Sequence, residues 1–208
     1  MIEIKIEITD GRHKFSLSAF IAQISHHEKA NFLGDADCFF FQAMNNNHLF
    51  IATENNKIIA LSAIDPLWPD LIETRTCFVL PAYRGLGLQR VMHEVRAVNI
   101  RQRWGNKCLA VSAVKHSTRA TRENLLTLGF KLWDTPDKRV FGPCIHCHVF
   151  SASREKNCYC DFFYADENVL ASLSERLLKQ PVKLVISSKS IAAIIDCSYF
   201  HNHFDSSK

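Results

Sequence analysis

The 208-residue chain predicts an α/β fold. Its mixed sheet opens with antiparallel strands, passes into a central βαβ unit, and ends in a Cys/His-rich β-ribbon plus helix as a C-terminal extension. Three observations carry this. Residues 1–8 alternate apolar and charged side chains, as a strand does. A Gly-rich interruption at 81–87 is followed by apolar residues at helical spacing. Cys108 to Val114 is an almost continuous apolar run, which suits a central parallel strand.

Composition excludes several classes. With 47% hydrophobic and 22% charged residues the chain is neither disordered nor fibrous. No window approaches the ~18 consecutive apolar residues of a membrane span; the run Ile191 to Ile195 is among the longest. The alternation at the start lacks the uninterrupted apolar core of an export signal, so the expected location is the cytoplasm, away from membranes. Eight cysteines there are buried thiols or metal ligands rather than disulfides. The net charge of +4 suits an anionic cofactor or a nucleic acid and demands neither.

In order, the first strand breaks at Gly11, and Phe15, Leu17, Phe20, Ile21 and Ile24 predict a helix over about 15–26. His48–Thr53 and Lys57–Ile64, joined by Glu54-Asn55-Asn56, predict a hairpin. Pro66 to Pro69 reads as a connection, and Ile72 to Leu80 as the next strand. Leu88, Val91, Met92, Val95 and Val98 define a long amphipathic helix that Gly105 ends. A helix over about 118–128 stops at Gly129, and Phe130-Lys131-Leu132-Trp133 begins a strand. Beyond it the chain predicts one or two β-ribbons over 139–164, a helix over 168–179, a short strand over 182–187 and a polar tail from Phe204 to Lys208. The division expected is a core over 1–140 and a packed extension over 141–208.

The strongest chemical signal is Val79-Leu80-Pro81-Ala82-Tyr83-Arg84-Gly85-Leu86-Gly87-Leu88. A strand ends, a Gly-rich turn follows and a helix opens. The first N–H groups of a helix lack partners and carry partial positive charge, so they form a cradle for an anion such as a pyrophosphate. Gly85 and Gly87 allow close backbone approach. The pattern is neither a P-loop nor a dinucleotide fingerprint.

This string resembles the acyl-CoA pyrophosphate loop of the GNAT superfamily of N-acetyltransferases, Arg/Gln-x-x-Gly-x-Gly/Ala, with Arg84, Gly87 and Gln89 at its fixed places. The preceding Val-x-Pro and the later Leu128-Gly129-Phe130 are similar to further GNAT features, and the resemblance covers about 48–135. It implies a GNAT-like fold, acetyl-CoA or another acyl-CoA as co-substrate, and contacts to it from Val79, Arg84, Gly85, Leu86, Gly87, Leu88 and Gln89. Gln89 departs from the usual small residue, which implies a slightly wider helix start. Leu125 stands where many members carry a general-acid Tyr.

The implied reaction is direct attack of an amine on a thioester. An amine of pKa ~10.4 costs on the order of 4 kcal/mol to deprotonate near pH 7, so a general base helps. Glu73, six residues before Val79, is the candidate; a solvated strand-end carboxylate is the plain alternative. A thiol leaving group of pKa ~8.5 needs little protonation, so Leu125 is compatible with turnover. His116, at the end of the central strand, is a second catalytic candidate, with a surface role as its alternative. Cys77 lies inside an apolar strand and reads as core.

Basic residues crowd 84–122, which suits a solvated helix face, cofactor phosphates or a nucleic-acid surface. The resemblance implies an amine on a protein or small molecule as acceptor; the basic run and the Cys/His cluster motivate a nucleic-acid base as the alternative, and a non-catalytic binding module is a third reading. Finally, Cys144-Ile145-His146-Cys147-His148 and Cys158-Tyr159-Cys160 place six potential ligands within seventeen residues. If both flanks are strands of one hairpin, one register sets Cys144, His146 and His148 on the face of Cys158 and Cys160, and the other sets Cys147 there. Either could assemble three or four ligands for a tetrahedral zinc, or iron, with Cys144, Cys147, Cys158 and Cys160 as the candidate ligands; ordinary buried thiols are the alternative.

Overall fold

The alternation at the start of the chain forms β1 (Ile2–Ile8), which buries Ile4, Ile6 and Ile8. A computed structural model describes residues 1–27, 37–142, 144, 159–187 and 191–204. A short 3-10 turn capped by the Asp10 carboxylate leads into α1 (Lys14–His27). Spacing alone predicts no element over 37–45, yet α2 (Asp37–Asn45) forms there. Three consecutive phenylalanines, Phe39 to Phe41, blur the helical period. Of these only Phe40 is fully buried. It joins Ala43 and Met44, at i+3 and i+4, against Leu17, Phe20, Ile21 and Ile24 of α1 on one face of the sheet.

The predicted hairpin is β2 (Leu49–Glu54) and β3 (Lys57–Trp68). Asn55 and Asn56 take φ of 48° and 62°, the two-residue turn whose twist matches its strands. The connection expected at 66–69 is largely strand: β3 runs to Trp68, and β4 (Leu71–Val79) returns antiparallel beside it. β2 leaves β3 after Ala63, so Pro66 sits on an edge where its missing N–H breaks no ladder.

Helix α3 (Leu88–Trp104), β5 (Leu109–Lys115) and α4 (Arg119–Thr127) complete the βαβ unit, with Gly105 closing α3 at φ 75°. Of the ribbons expected over 139–164, the described residues contain a 3-10 turn at Lys138–Phe141 and β7 (Cys160–Ala165). β7 does not stand apart. It lies between β5 and the short β6 (Lys131–Leu132), antiparallel to both.

The last third then crosses the molecule. Helix α5 (Glu167–Lys179), capped by the Asp166 carboxylate, packs along α3, and β8 (Lys183–Ser187) and β9 (Ala192–Asp196) form a hairpin. β9 pairs parallel to β1, giving the sheet order β6-β7-β5-β4-β3-β2-β1-β9-β8. Phe204, expected in a polar tail, ends α6 (Ser198–Phe204) and packs on the core beside Phe200. The β9 signal is short: only Ala193 and Ile195 alternate inward.

The main core lies between the sheet and α3, α5 and α6. It contains a charged contact: Glu94 of α3, 1% exposed, lies 2.6 Å from Arg176 of α5 and 3.2 Å from Arg90. Among the described residues, no helix is long and apolar enough to cross a membrane.

Ile195 is fully buried in that core. Ile195→Ala is therefore expected to cost about 2–5 kcal/mol in urea unfolding. Far-ultraviolet ellipticity and tryptophan fluorescence should fall together. A loss below about 0.5 kcal/mol would mean that β9 is peripheral to the cooperative unit.

Candidate active site

β4 and β5 are parallel neighbours that part company. They pair at Leu71 with Leu109, Ile72 with Ala110 and Glu73 with Val111, and no further. Two side chains close the end of the ladder. Thr74 Oγ1 donates to the Val111 carbonyl at 3.1 Å, and Ser112 Oγ donates to the Thr74 carbonyl at 3.3 Å. Beyond that point each strand is paired only on its outer edge, β5 with β7 and β4 with β3. Near the opening β4 carries a bulge: Ser62 faces Cys77 and Ala63 faces Arg75, leaving Thr76 unopposed at φ 35°. Bulges re-aim a strand and concentrate beside active sites. A tapered gap results, wider toward the C-terminal ends of the two strands.

The Gly-rich loop stands at the end of β4, at the wide end of this gap. Arg84 folds inward: its Nε donates to the Val79 carbonyl at 3.1 Å, and its guanidinium lies 5.6 Å from the Phe78 ring centre. The Tyr83 hydroxyl donates to the Glu54 carboxylate, pinning the loop to the β2–β3 turn. That hydrogen bond, with burial, pushes the Tyr83 phenol up to about 12. Gly85 and Gly87 take φ of 83° and 72°, values that L side chains resist. Leu86 and Leu88 are buried and anchor the turn. The first intrahelical bond runs from Val91 N–H to the Gly87 carbonyl, so the N–H groups of Leu88, Gln89 and Arg90 have no partner within the helix. Of the seven predicted cofactor residues, Val79 ends β4, and Arg84 to Gln89 form the turn and the first residues of α3.

Gln89 joins two helices. Its carbonyl oxygen accepts from Asn124 Nδ2 at 2.6 Å and its amide donates to Thr121 Oγ1 at 3.4 Å, tying α3 to α4. Leu125, one residue on, is fully buried in the apolar core, so no acid replaces the tyrosine at that position.

Glu73 lies where the strands begin to part, 9% exposed, directly opposite Asp65. Arg75 shares its side of β4. Arg75 Nη1 donates to Asp65 Oδ2 at 2.9 Å, its Nε lies 3.8 Å from Glu73 Oε2, and its guanidinium sits 4.3 Å from the Phe39 ring centre. Sequence reasoning singled out Glu73 but not Asp65, Arg75 or Phe39. Asp65 arrives through the strand pairing and Phe39 through a helix that spacing hides. The alternation Glu73-x-Arg75 was the one available signal.

His116 is elsewhere. It follows β5, with its side chain 52% exposed, and its Nε2 lies 3.0 Å from Asp161 Oδ1; Arg122 holds the other oxygen of that carboxylate. Five residues separate Val111 from His116, about 16 Å along a strand, so the structure does not bring Glu73 and His116 together. Cys77 packs on the main core, and burial pushes its thiol up, which opposes the thiolate form. Trp104 packs against His48 and Trp133 against Tyr164.

Of the four predicted metal ligands, Cys147 and Cys158 lie outside the described residues. Cys144 packs on the small core of Leu71, Val111, Val140 and Phe162, and Cys160 begins β7 opposite Lys115. Among the described residues, no three His, Cys, Asp or Glu side chains converge on a metal position. The basic run of 84–122 does not form one free face. Arg90, Arg119 and Arg122 pair with Glu94, Glu123 and Asp161, Arg96 is buried, and Arg103 donates to the Asn46 carbonyl.

A mixed sheet split between two parallel strands, with a left-handed glycine turn and a free helix start at the mouth, defines an α/β protein with a cradle suited to an anion. The chain belongs to the acetyltransferase (GNAT) family, whose model matches residues 17–130. Solved structures agree in fold. A GNAT-family acetyltransferase from Staphylococcus aureus Mu50 is 16% identical with a TM-score of 0.57, over 79% of this chain and 99% of that one. YncA of Salmonella typhimurium with its cofactor acetyl-CoA is 14% identical, TM-score 0.52, over 77% and 91%. The diaminobutyrate acetyltransferase EctA of Paenibacillus lautus, in complex with L-2,4-diaminobutyric acid and coenzyme A, is 13% identical, TM-score 0.54, over 79% and 95%. No curated protein sequence matches the chain.

The Tyr83 contact has a titration signature. Its phenol is raised from 10.0 to about 12, so the stability it contributes is fully present below pH 10 and is lost as the pH climbs toward 12. In an alkaline near-ultraviolet titration of the four tyrosines, Tyr83→Phe should remove the component that titrates near 12. Retention of that component in the variant would refute the assignment.

Proposed function

We propose that this protein transfers an acyl group, acetyl in the simplest case, from acyl-CoA to an amine by direct attack on the thioester. The single observation that carries the reading is the parting of β4 and β5 beneath the loop of residues 84–89. In this reading the coenzyme diphosphate is bound by N–H groups from Gly85 to Arg90, with Gly85 and Gly87 admitting it closely. Its arm runs down the gap along Val79, and the thioester lies near the bulge.

Glu73 acts as the general base, directly or through water. Its near burial supports this, because a carboxylate screened from bulk water interacts more strongly with an approaching ammonium. Asp65 adds a second carboxylate opposite it, and Arg75 offsets part of the negative charge. Attack forms the C–N bond, the tetrahedral adduct collapses, and the C–S bond breaks. The thiolate of pKa ~8.5 leaves without a dedicated acid, which is consistent with the buried aliphatic side chain at Leu125. The coenzyme and diamine bound in the Salmonella and Paenibacillus proteins support a CoA donor and an amine acceptor. His116, tied to Asp161 at the far end of β5, takes no proton in this scheme.

The test is calorimetry with acetyl-CoA combined with thiol release in the presence of amino acids, polyamines and peptides. Saturable binding and amine-dependent release are expected; absence of both from folded protein would end the reading. Glu73→Gln should lower kcat by about 10²–10⁴-fold while acetyl-CoA still binds. Unchanged turnover would remove Glu73 as the base. Gly87→Ala, placed at φ 72°, should weaken acetyl-CoA binding by about tenfold, because the left-handed turn costs an L residue about 1–2 kcal/mol.

A further inference from the structure

One buried group on the opposite face of the sheet remains outside this scheme. Arg96 projects from α3, is 1% exposed, and ranks among the largest fully buried side chains. A buried guanidinium is costly unless its donors are well used. Among the described residues no carboxylate meets it. Its Nη1 donates to the Arg75 carbonyl at 3.1 Å and to the Ala63 carbonyl at 3.4 Å. These two residues are the facing pair, one from each strand, that borders the bulge at Thr76. Its Nη2 lies 2.6 Å from His93 Nδ1. The same Nη2 lies 3.1 Å from His93 Nε2; arginine only donates, so the ring accepts and is neutral. Burial and the neighbouring guanidinium both hold the His93 pKa well below its usual value.

The bulge needs such support. Thr76 is β-branched and sits at φ 35°, a conformation that the surrounding structure must impose. On its other side, the Ser62 hydroxyl is buried without a partner, so that flank supplies no compensating hydrogen bond from this residue.

We propose that Arg96 is a positioning residue for acyl transfer: its guanidinium grips the Ala63 and Arg75 carbonyls from the α3 face and so holds the β4 bulge where Glu73 and the thioester meet. The inference rests on the acyl-transfer reading for its kinetic consequence, while its structural consequence stands independently of any coenzyme.

The experiment compares wild type, Arg96→Met and Arg96→Lys, each with and without Thr76→Gly. Amide hydrogen exchange at residues 75–78 should quicken by about tenfold or more in Arg96→Met, with exchange in β1 and α3 unchanged. Acetyl-CoA affinity should stay within about threefold, while kcat with the amine that the wild type acetylates falls by about tenfold or more. Arg96→Lys, which keeps the charge but not the fork, should fall between. Thr76→Gly should recover part of the lost kcat, because glycine holds a positive φ without strain. Uniform acceleration of exchange with kcat unchanged would overturn the proposal and leave Arg96 a stability residue. Should Arg96→Met fail to fold, Arg96→Lys decides by the same criteria. A wild type that binds no acetyl-CoA would defeat the acyl-transfer reading instead, and the exchange result alone would then judge whether Arg96 holds the bulge.

Discussion

Everything at this site depends on two parallel strands that stop pairing after three residues. Buried backbone groups must find partners, and a strand that leaves its neighbour pays heavily unless it finds another. Here each strand keeps its outer neighbour, β7 beside β5 and β3 beside β4, and the two inner edges are left facing the gap. The Thr74 and Ser112 hydroxyls finish the shared ladder where the backbones diverge. The split is therefore framed by a paired strand on each outer side. It gives a cleft whose wall is strand edge and whose mouth is the start of a helix.

The two faces of the sheet divide the work. On the α3 face lies a large apolar core with two charged groups inside it, Glu94 and Arg96, partnered in different ways, with Arg96 Nε left without an acceptor among the described residues. Glu94 draws arginines from α3 and α5 and so ties α5 to α3. Arg96 takes backbone carbonyls and a neutral histidine, and so acts on the strand behind it. On the opposite face α1 and α2 shelter a carboxylate pair, Glu73 and Asp65, with Arg75 held against Phe39. The bulge at Thr76 lies between these two environments.

Much of this was legible in residues 48–130. The hairpin, the glycine loop, the long helix and the apolar central strand each follow from local patterns, because each buries one continuous stripe or alternates about a turn. Glu73 was legible from its distance to the loop. Asp65, Arg75 and Phe39 were not legible as a group, because they meet only when β3 folds back on β4 and α2 packs below. The departure at Gln89 reads in sequence as a larger residue at a tight turn; its hydrogen bonds to Asn124 and Thr121 show it as a strap between α3 and α4. The Cys/His cluster read as a separate ribbon. Its described end, Cys160, instead enters the main sheet beside β5, where register with Lys115 decides its neighbours.

By itself the sequence determined the order of local elements, the Gly-rich loop of residues 84–89, and the family these define. Those are consequences of side-chain period and backbone freedom within a few residues, which the chain carries wherever it goes. Only tertiary structure decided that β4 and β5 separate, that β7 and β9 enter the sheet at places remote in sequence, and that Arg96 faces the bulge. Such outcomes turn on which distant backbone groups satisfy one another's hydrogen bonds, and no local pattern encodes a partner that lies dozens of residues away.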